Sequence, residues 1–315
     1  MSTLRFSRRL PRRLPRRLSR REFLQRLGGG TAALTVAWLA AMEMAAAEAP
    51  SPATNTWGML VDTTRCVGCN SCALACQEAN QLPSLGTMPT GLAKDVYTFV
   101  DRREGTGRAG ESALYYVKRQ CMHCLDAACV SACPAAAMYR SPLGPVVYRP
   151  ERCLGCRYCQ VACPFGIPRF DWDNGLTPRI SKCWLCFDRL QQGQVPACSA
   201  ACPTGALRFG RRDDLLAQAH AQIATHPDRY IDHVYGEFEV EGTSILYLSA
   251  VPFEQLGLPA DLPHEAPPRA TARIMATLPV VIAGVATAMT GAAIYTHRRE
   301  GTTIEEENPE RKEEA

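Results

Sequence analysis

The sequence predicts an α+β chain in which short strands, cysteine loops and short helices follow one another, closed by one C-terminal transmembrane helix. Three observations carry this. All sixteen cysteines of the 315 residues fall into four groups of four. Strand-like runs at Gly58–Thr63, Tyr115–Arg119 and Gly144–Tyr148 lead into the first three groups. Ile274–Tyr295 is 22 residues long and carries no charge, which at a rise of about 1.5 Å per residue spans about 33 Å, the thickness of a bilayer core.

The cysteine spacing narrows the fold class. Cys153-Leu-Gly-Cys156-Arg-Tyr-Cys159-Gln-Val-Ala-Cys163-Pro164 has the spacing of the bacterial ferredoxin ligand run. Three thiolates on one tight loop wrap three corners of an iron–sulfur cube. The fourth, on the next helical turn, points toward a different cube, and the proline after it turns the chain. Cys66, Cys69, Cys72 and Cys76 repeat the spacing with Gln77 in place of proline. Cys121, Cys124, Cys129 and Cys133 lengthen the middle gap and close with Pro134, while Cys183, Cys186, Cys198 and Cys202 stretch it to eleven residues and close with Pro203. Four complete groups imply four [4Fe-4S] clusters and two ferredoxin-like (4Fe-4S) domains with insertions.

Other uses of cysteine fit less well. Structural zinc also takes paired C-x-x-C ligands, but it usually separates the two pairs widely, whereas here three cysteines lie within seven residues. Repeated triplets at this spacing make poor disulfide geometry. No C-x-x-C is followed directly by histidine, which excludes covalently attached haem. His123, inside the Cys121–Cys124 loop, reads as a bystander rather than a ligand.

Residues 1–47 read as an export signal. Ten arginines crowd residues 1–26, and Ser19-Arg20-Arg21-Glu22-Phe23-Leu24 carries the twin-arginine signature. The mildly apolar Leu27–Met42 is too short for a comfortable membrane span, and Ala45-Ala46-Ala47 supplies the small-residue cleavage pattern. The twin-arginine route carries folded proteins, as an exported chain with preassembled clusters requires. Without residues 1–47 the chain holds 25 basic and 29 acidic residues, a net −4. No basic stripe remains to serve nucleic acid.

The body, 48–250, holds the four groups at 66–76, 121–133, 153–163 and 183–202. Between the first two, Gln81–Gly110 is rich in Gly, Pro and Thr and reads as an insertion loop, with Asp101-Arg-Arg-Glu104 on a solvated surface. Asp213–His226 has helical periodicity. Phe238–Ser249 reads as two short strands joined around Glu241-Gly242. Residues 251–272 read as a linker, stiffened by five prolines between Pro252 and Pro268. The membrane helix is expected at 273–296 and a charged cytoplasmic tail at 297–315, since His297-Arg298-Arg299 places that end inside. Arg65, Arg157 and Lys182 stand beside ligands, where a cation favours the reduced, more negative cluster.

The chain resembles the four-cluster electron-transfer subunits of hydrogenase-2-type membrane-bound nickel–iron hydrogenases and, more broadly, the iron–sulfur subunits of formate dehydrogenases and other molybdopterin oxidoreductases. The residues that carry the resemblance are Gly58-Met-Leu-Val-Asp62, Lys118-Arg-Gln-Cys-Met-His-Cys124, Cys153 through Phe165, Pro196-Ala-Cys198, Cys202-Pro-Thr-Gly-Ala206 and Val251-Pro-Phe-Glu-Gln-Leu-Gly-Leu-Pro259. The likeness runs from about residue 19 to 299. It implies a pairing in which groups one and four share one domain and groups two and three the other. Cys66, Cys69, Cys72 and Cys202 would hold cluster 1, and Cys76, Cys183, Cys186 and Cys198 cluster 2. Cys121, Cys124, Cys129 and Cys163 would hold cluster 3, and Cys133, Cys153, Cys156 and Cys159 cluster 4.

The function expected is electron relay without catalysis of its own, since no acid–base constellation or open metal site is legible. The resemblance implies a catalytic hydrogenase of small and large subunits on one side and an integral membrane quinone-interacting subunit on the other. The place would be the periplasmic face of the bacterial cytoplasmic membrane. A molybdenum enzyme such as formate dehydrogenase is the alternative catalytic partner, and a zinc–cysteine scaffold the remote one.

Overall fold

The computed structural model describes residues 56–84, 86–107, 110–174 and 179–306, with side chains described as far as 297. The twin-arginine signal and cleavage site fall outside them. Strand β1 (Trp57–Asp62) is the organising element. It pairs antiparallel with β8 (Leu207–Arg211), Met59 facing Phe209, and parallel with β9 (Ile245–Leu248), Met59 facing Ile245. Because side chains alternate across a strand, β1 feeds two cores. Met59 and Val61 join Ile245 and Tyr247 on the face that carries the cysteines. Leu60 joins Leu246 and Leu248 on the other.

That second face is covered by helix α6 (Arg212–Thr225), which starts directly where β8 ends. Leu215, Ala219 and Ile223 recur every four residues and are buried against it. The remaining strands are two-stranded ladders: β2 (Phe99–Thr106) with β3 (Ser112–Arg119), β4 (Met138–Arg140) with β5 (Val146–Tyr148), and β6 (Arg169–Phe170) with β7 (Ile180–Ser181).

Three expectations change. The end of the supposed insertion loop is strand β2, whose Phe99 pairs with Arg119 and whose Asp101 pairs with Val117. Arg102, Arg103 and Glu104 are exposed on it, so the surface reading stands and the loop reading does not. Phe238–Ser249 contains one strand, not two. Glu239–Glu241 is a 3-10 turn with Val240 and Glu241 in the left-handed region, which breaks the extended run before β9. The proline-rich stretch is not a free linker either. Val251, Phe253, Leu256 and Leu258 are buried in the main core, and the C-terminal helix α7 begins at Pro267. Prolines fix the backbone there, but the apolar residues between them decide where it goes.

Helix α7 (Pro267–Glu306) is the one helix among the described residues long and apolar enough to cross a membrane, and its apolar window is 0 % buried by the rest of the chain. Its root is tied down. Ala266 is buried, Arg269 Nη1 donates to Glu241 at 2.6 Å, and Arg269 Nε lies 3.7 Å from Asp126. It packs there on α2 (Ala128–Ser131).

Candidate metal centre

Each cysteine loop is shaped by a left-handed residue two places after its first cysteine: Gly68 (φ 71°), His123 (φ 48°), Gly155 (φ 69°) and Leu185 (φ 55°). That turn lets the backbone curl around a common centre, and it aims amides inward. Gly155 N–H donates to Cys153 Sγ at 3.4 Å and Leu185 N–H to Cys183 Sγ at 3.3 Å. His123 and Leu185 carry side chains at this left-handed position, but at Gly68 a Cβ would sit 2.4 Å from the Tyr116 ring, which excludes one.

The closing prolines have a visible purpose. After Cys202, the Pro-Thr-Gly-Ala turn points the amides of Leu207, Thr204 and Ala206, with the Thr204 hydroxyl, at Sγ, and these outweigh the upward push of burial to hold the thiol below its ordinary value. Cys163 receives the amides of Ile167, Phe165 and Gly166, although burial still keeps it raised. Ala137 N–H reaches Cys133 Sγ at 3.2 Å. Group one lacks the proline, and the chain there differs. Helix α1 (Ser71–Ala79) runs on past Cys76 for nine residues in all, and the Asn80 amide lies 3.5 Å from Cys76 Sγ. The short helices α3 (Tyr158–Ala162) and α5 (Ala197–Ala200) stop before their fourth cysteines.

Helix α1 packs on α5, and α2 packs on α3. First and fourth groups are thereby interleaved, as are second and third. One small cavity is lined by Cys66, Cys69, Cys72 and Cys202, here called site 1. A second is lined by Cys76, Cys183, Cys186 and Cys198 (site 2). A third is lined by Cys133, Cys153, Cys156 and Cys159 (site 4). Cys124 is pushed well above the ordinary thiol value by burial and then by Cys121, Cys163 and Cys129, the set here called site 3. Among the described residues no three His, Cys, Asp or Glu side chains converge on one metal-ion position. Each cavity gathers four cysteines contributed by two groups, and four thiolates so gathered are the ligand set a [4Fe-4S] cluster takes.

The sites follow one another in succession, each set coupled electrostatically to the next. Burial raises Cys72 to about 11, opposed by Lys118 and helped by Cys198, so sites 1 and 2 adjoin. Cys183 is raised well above its ordinary value by burial, with Cys76, Cys198 and Cys121 adding, which joins sites 2 and 3. Burial raises Cys129 to about 12, with Cys121 and, further off, Cys159 adding, which joins sites 3 and 4.

Two fully buried lysines thread this row. Lys118, on β3, lines both site 1 and site 2 and donates to Thr98 Oγ1 at 2.8 Å and to Gln120. Burial alone would lower its pKa, but Cys198, Cys72, Cys183 and Cys76 raise it overall. Lys182 donates to the carbonyls of Val146 and Cys183. Of the three cations expected beside ligands, Lys182 is buried, while Arg65 and Arg157 are exposed. Lys118 was not legible as a tuning residue: three places before a cysteine, it resembles any surface lysine until β3 buries it. His123 is fully buried, and its Nδ1 accepts the Val146 amide at 3.0 Å, which makes it part of the scaffold under site 3.

Paired ferredoxin-type lobes with interleaved cysteine groups define a dicluster iron–sulfur protein. Two 4Fe-4S dicluster domain families match, one at residues 65–137 and the other at residues 112–212. The chain is 40 % identical over 296 residues to a protein of Nitratidesulfovibrio vulgaris, covering 91 % of this chain and 79 % of that one. It is 35 % identical over 288 residues to the hydrogenase-2 operon protein HybA of Escherichia coli O157:H7, covering 76 % and 83 %. It is 37 % identical over 199 residues to the nitrate-inducible formate dehydrogenase iron–sulfur subunit of Escherichia coli K12, covering 60 % and 66 %. The chain belongs to this family of [4Fe-4S] proteins, the electron-transfer rather than catalytic subunits of oxidoreductase complexes.

Proposed function

We propose that this chain is a four-cluster wire joining a periplasmic nickel–iron hydrogenase, of small and large subunits, to a quinone-reactive integral membrane subunit. Each site would hold one [4Fe-4S] cluster: site 1 through Cys66, Cys69, Cys72 and Cys202, site 2 through Cys76, Cys183, Cys186 and Cys198, site 3 through Cys121, Cys124, Cys129 and Cys163, and site 4 through Cys133, Cys153, Cys156 and Cys159. The clusters supply reversible one-electron transfer. The chain supplies thiolates, inward amides, buried cations and exclusion of water, the levers that set a cluster's potential.

The observation that carries the reading is the row of four cysteine sets, with exposed Cys69 at one end and exposed Cys156 at the other. A storage or scaffold role needs no such succession. Hydrogenase is favoured over formate dehydrogenase because the likeness to the hydrogenase-2 operon protein covers 76 % of this chain, against 60 % for the formate dehydrogenase subunit. Twin-arginine export, the periplasmic location and anchoring by α7 belong to the same proposal.

The test is to purify the complex from solubilised membranes and assay its metals. Nickel with iron and acid-labile sulfide is the expected result. Molybdenum or tungsten without nickel transfers the wire to a molybdopterin enzyme.

A further inference from the structure

Three of the four thiols at site 2 already receive an N–H from the protein. Leu185 N–H donates to Cys183 Sγ at 3.3 Å, the Asn80 amide lies 3.5 Å from Cys76 Sγ, and the Ala197 amide donates to Cys186. One further donor at this site has no acceptor. Trp184, between Cys183 and Cys186, lines the site 2 cavity. Its indole Nε1 is sealed from solvent and has no hydrogen-bond partner among the described residues. An indole nitrogen can only donate, and a buried one ordinarily finds a partner, because an unmet donor forfeits the hydrogen bond it made to water.

The ring is held on two sides. It stacks on Tyr97, with centroids 6.2 Å apart and planes 17° from parallel, and Tyr97 lines the same cavity. It also packs against the small core of sites 3 and 4, to which Cys129 and Cys159 belong. Trp184 is thereby wedged at the boundary between the two lobes. Water does not reach its nitrogen, and no cysteine sulfur or carbonyl among the described residues accepts from it. The acceptor that remains is a sulfide of the cluster that site 2 would hold. Such a cluster becomes more negative by one charge when it takes an electron, so a donor fixed against it favours the reduced form. Fully buried Lys118 lines the same cavity and acts in the same sense.

We propose that Trp184 is a redox-tuning residue of the relay, its indole N–H donating to a sulfide of the cluster at site 2 and making that cluster easier to reduce. No proton moves in the step. The electron comes from one neighbouring cluster and leaves for the other, and the indole nitrogen keeps its hydrogen throughout. The ring fills the lobe boundary, and the N–H sets how readily site 2 takes the electron that crosses it. This rests on the four-cluster reading above.

Pulsed EPR on the intact complex, with the indole nitrogen of tryptophan isotopically labelled, tests the contact. One reduced cluster is expected to show an indole nitrogen coupling that Trp184→Phe abolishes. In a potentiometric EPR titration Trp184→Phe is expected to shift that same cluster about tenfold against reduction, about 59 mV for one electron, while the other clusters stay. Benzothienylalanine placed at Trp184 keeps the shape of the ring without its N–H and is expected to reproduce the shift. A wild-type potential in that protein would make the role one of packing and overturn the proposal. So would a coupling that survives Trp184→Phe, or one on a cluster that Lys118→Met leaves unmoved. The absence of any indole coupling in the unaltered complex overturns it without a variant, whatever the folding of Trp184→Phe. Iron and sulfide measured on the same preparations separate the two levels. If they are absent, the four-cluster reading fails; if they are present without the coupling, only the role of Trp184 fails.

Discussion

The residue after the first cysteine of each loop separates the ends of the row from its middle. Val67 in site 1 and Leu154 in site 4 are 59 % and 71 % exposed, whereas Met122 in site 3 is 3 % exposed and Trp184 in site 2 is packed against the neighbouring core. The thiols follow the same division. Cys183 and Cys124, at the inner sites, are driven well above their ordinary values by burial, while Cys69 and Cys156, at the ends, are exposed. Each end site opens one edge of its loop to the surface, although Cys72 in site 1 and Cys159 in site 4 are buried like the inner thiols, and all four share one loop geometry. The lesson is that the loop positions the thiolates, and its surroundings decide whether electrons pass through or leave.

Removing one thiol at each kind of site gives the largest contrast. Cys183→Ala opens a hole in the main core and removes an inner ligand, so the chain is expected to lose folded yield as well as iron. Cys156→Ala is expected to leave a folded chain with about twelve of about sixteen irons. Equal yields and equal iron for the two would dissolve the distinction.

The core comes next. Leu215→Ala on α6 is expected to cost about 2–5 kcal/mol and to lower the melting temperature, with cluster content unchanged below the transition. It tests whether the face of β1 opposite the cysteines carries stability independently of them.

Loss of the clusters should make stability fall with alkaline pH. The buried thiols Cys72, Cys76, Cys129 and Cys159 are raised from 9.0 to between about 11 and about 12, burial first. Their folded pKa lies above the unfolded one, so the cluster-free chain keeps their full contribution below about pH 9 and loses it as pH rises through 11 to 12. Denaturant midpoints across pH 8–11 for the cluster-free and loaded chains check this; a flat profile for the cluster-free chain contradicts it.

Buried and exposed cations give a finer test. Lys118→Met is expected to make the clusters at sites 1 and 2 harder to reduce, by on the order of 50–100 mV. Arg65→Met, exposed beside site 1, should move its cluster by less than about 20 mV. Potentiometric EPR titration reads both. Smallest of all, Arg269→Ala at the root of α7 should cost under about 1 kcal/mol, since the ion pairs it breaks are partly exposed.

Much of this was legible in the sequence because cysteine spacing is a local code. The groups, the strand before each of the first three, helix α6 and the uncharged span all announce themselves within windows of about twenty residues or fewer. What escaped was set by partners far along the chain. β2 was hidden in a Gly- and Thr-rich stretch because its strand character comes from pairing with β3. β9 has the local pattern of a hairpin strand, yet its partner is β1, almost two hundred residues earlier. The burial of Lys118, and that of Val251, Phe253, Leu256 and Leu258 among prolines, likewise depends on surfaces no local window contains. Group one's missing proline is plain in the sequence, but its consequence, the longer α1 and the Asn80 contact, emerges only in three dimensions.

The most direct measurement is iron and acid-labile sulfide per mole of this chain, isolated anaerobically from its complex. The relay account predicts about sixteen of each. Zinc in their place, with no sulfide, would contradict it.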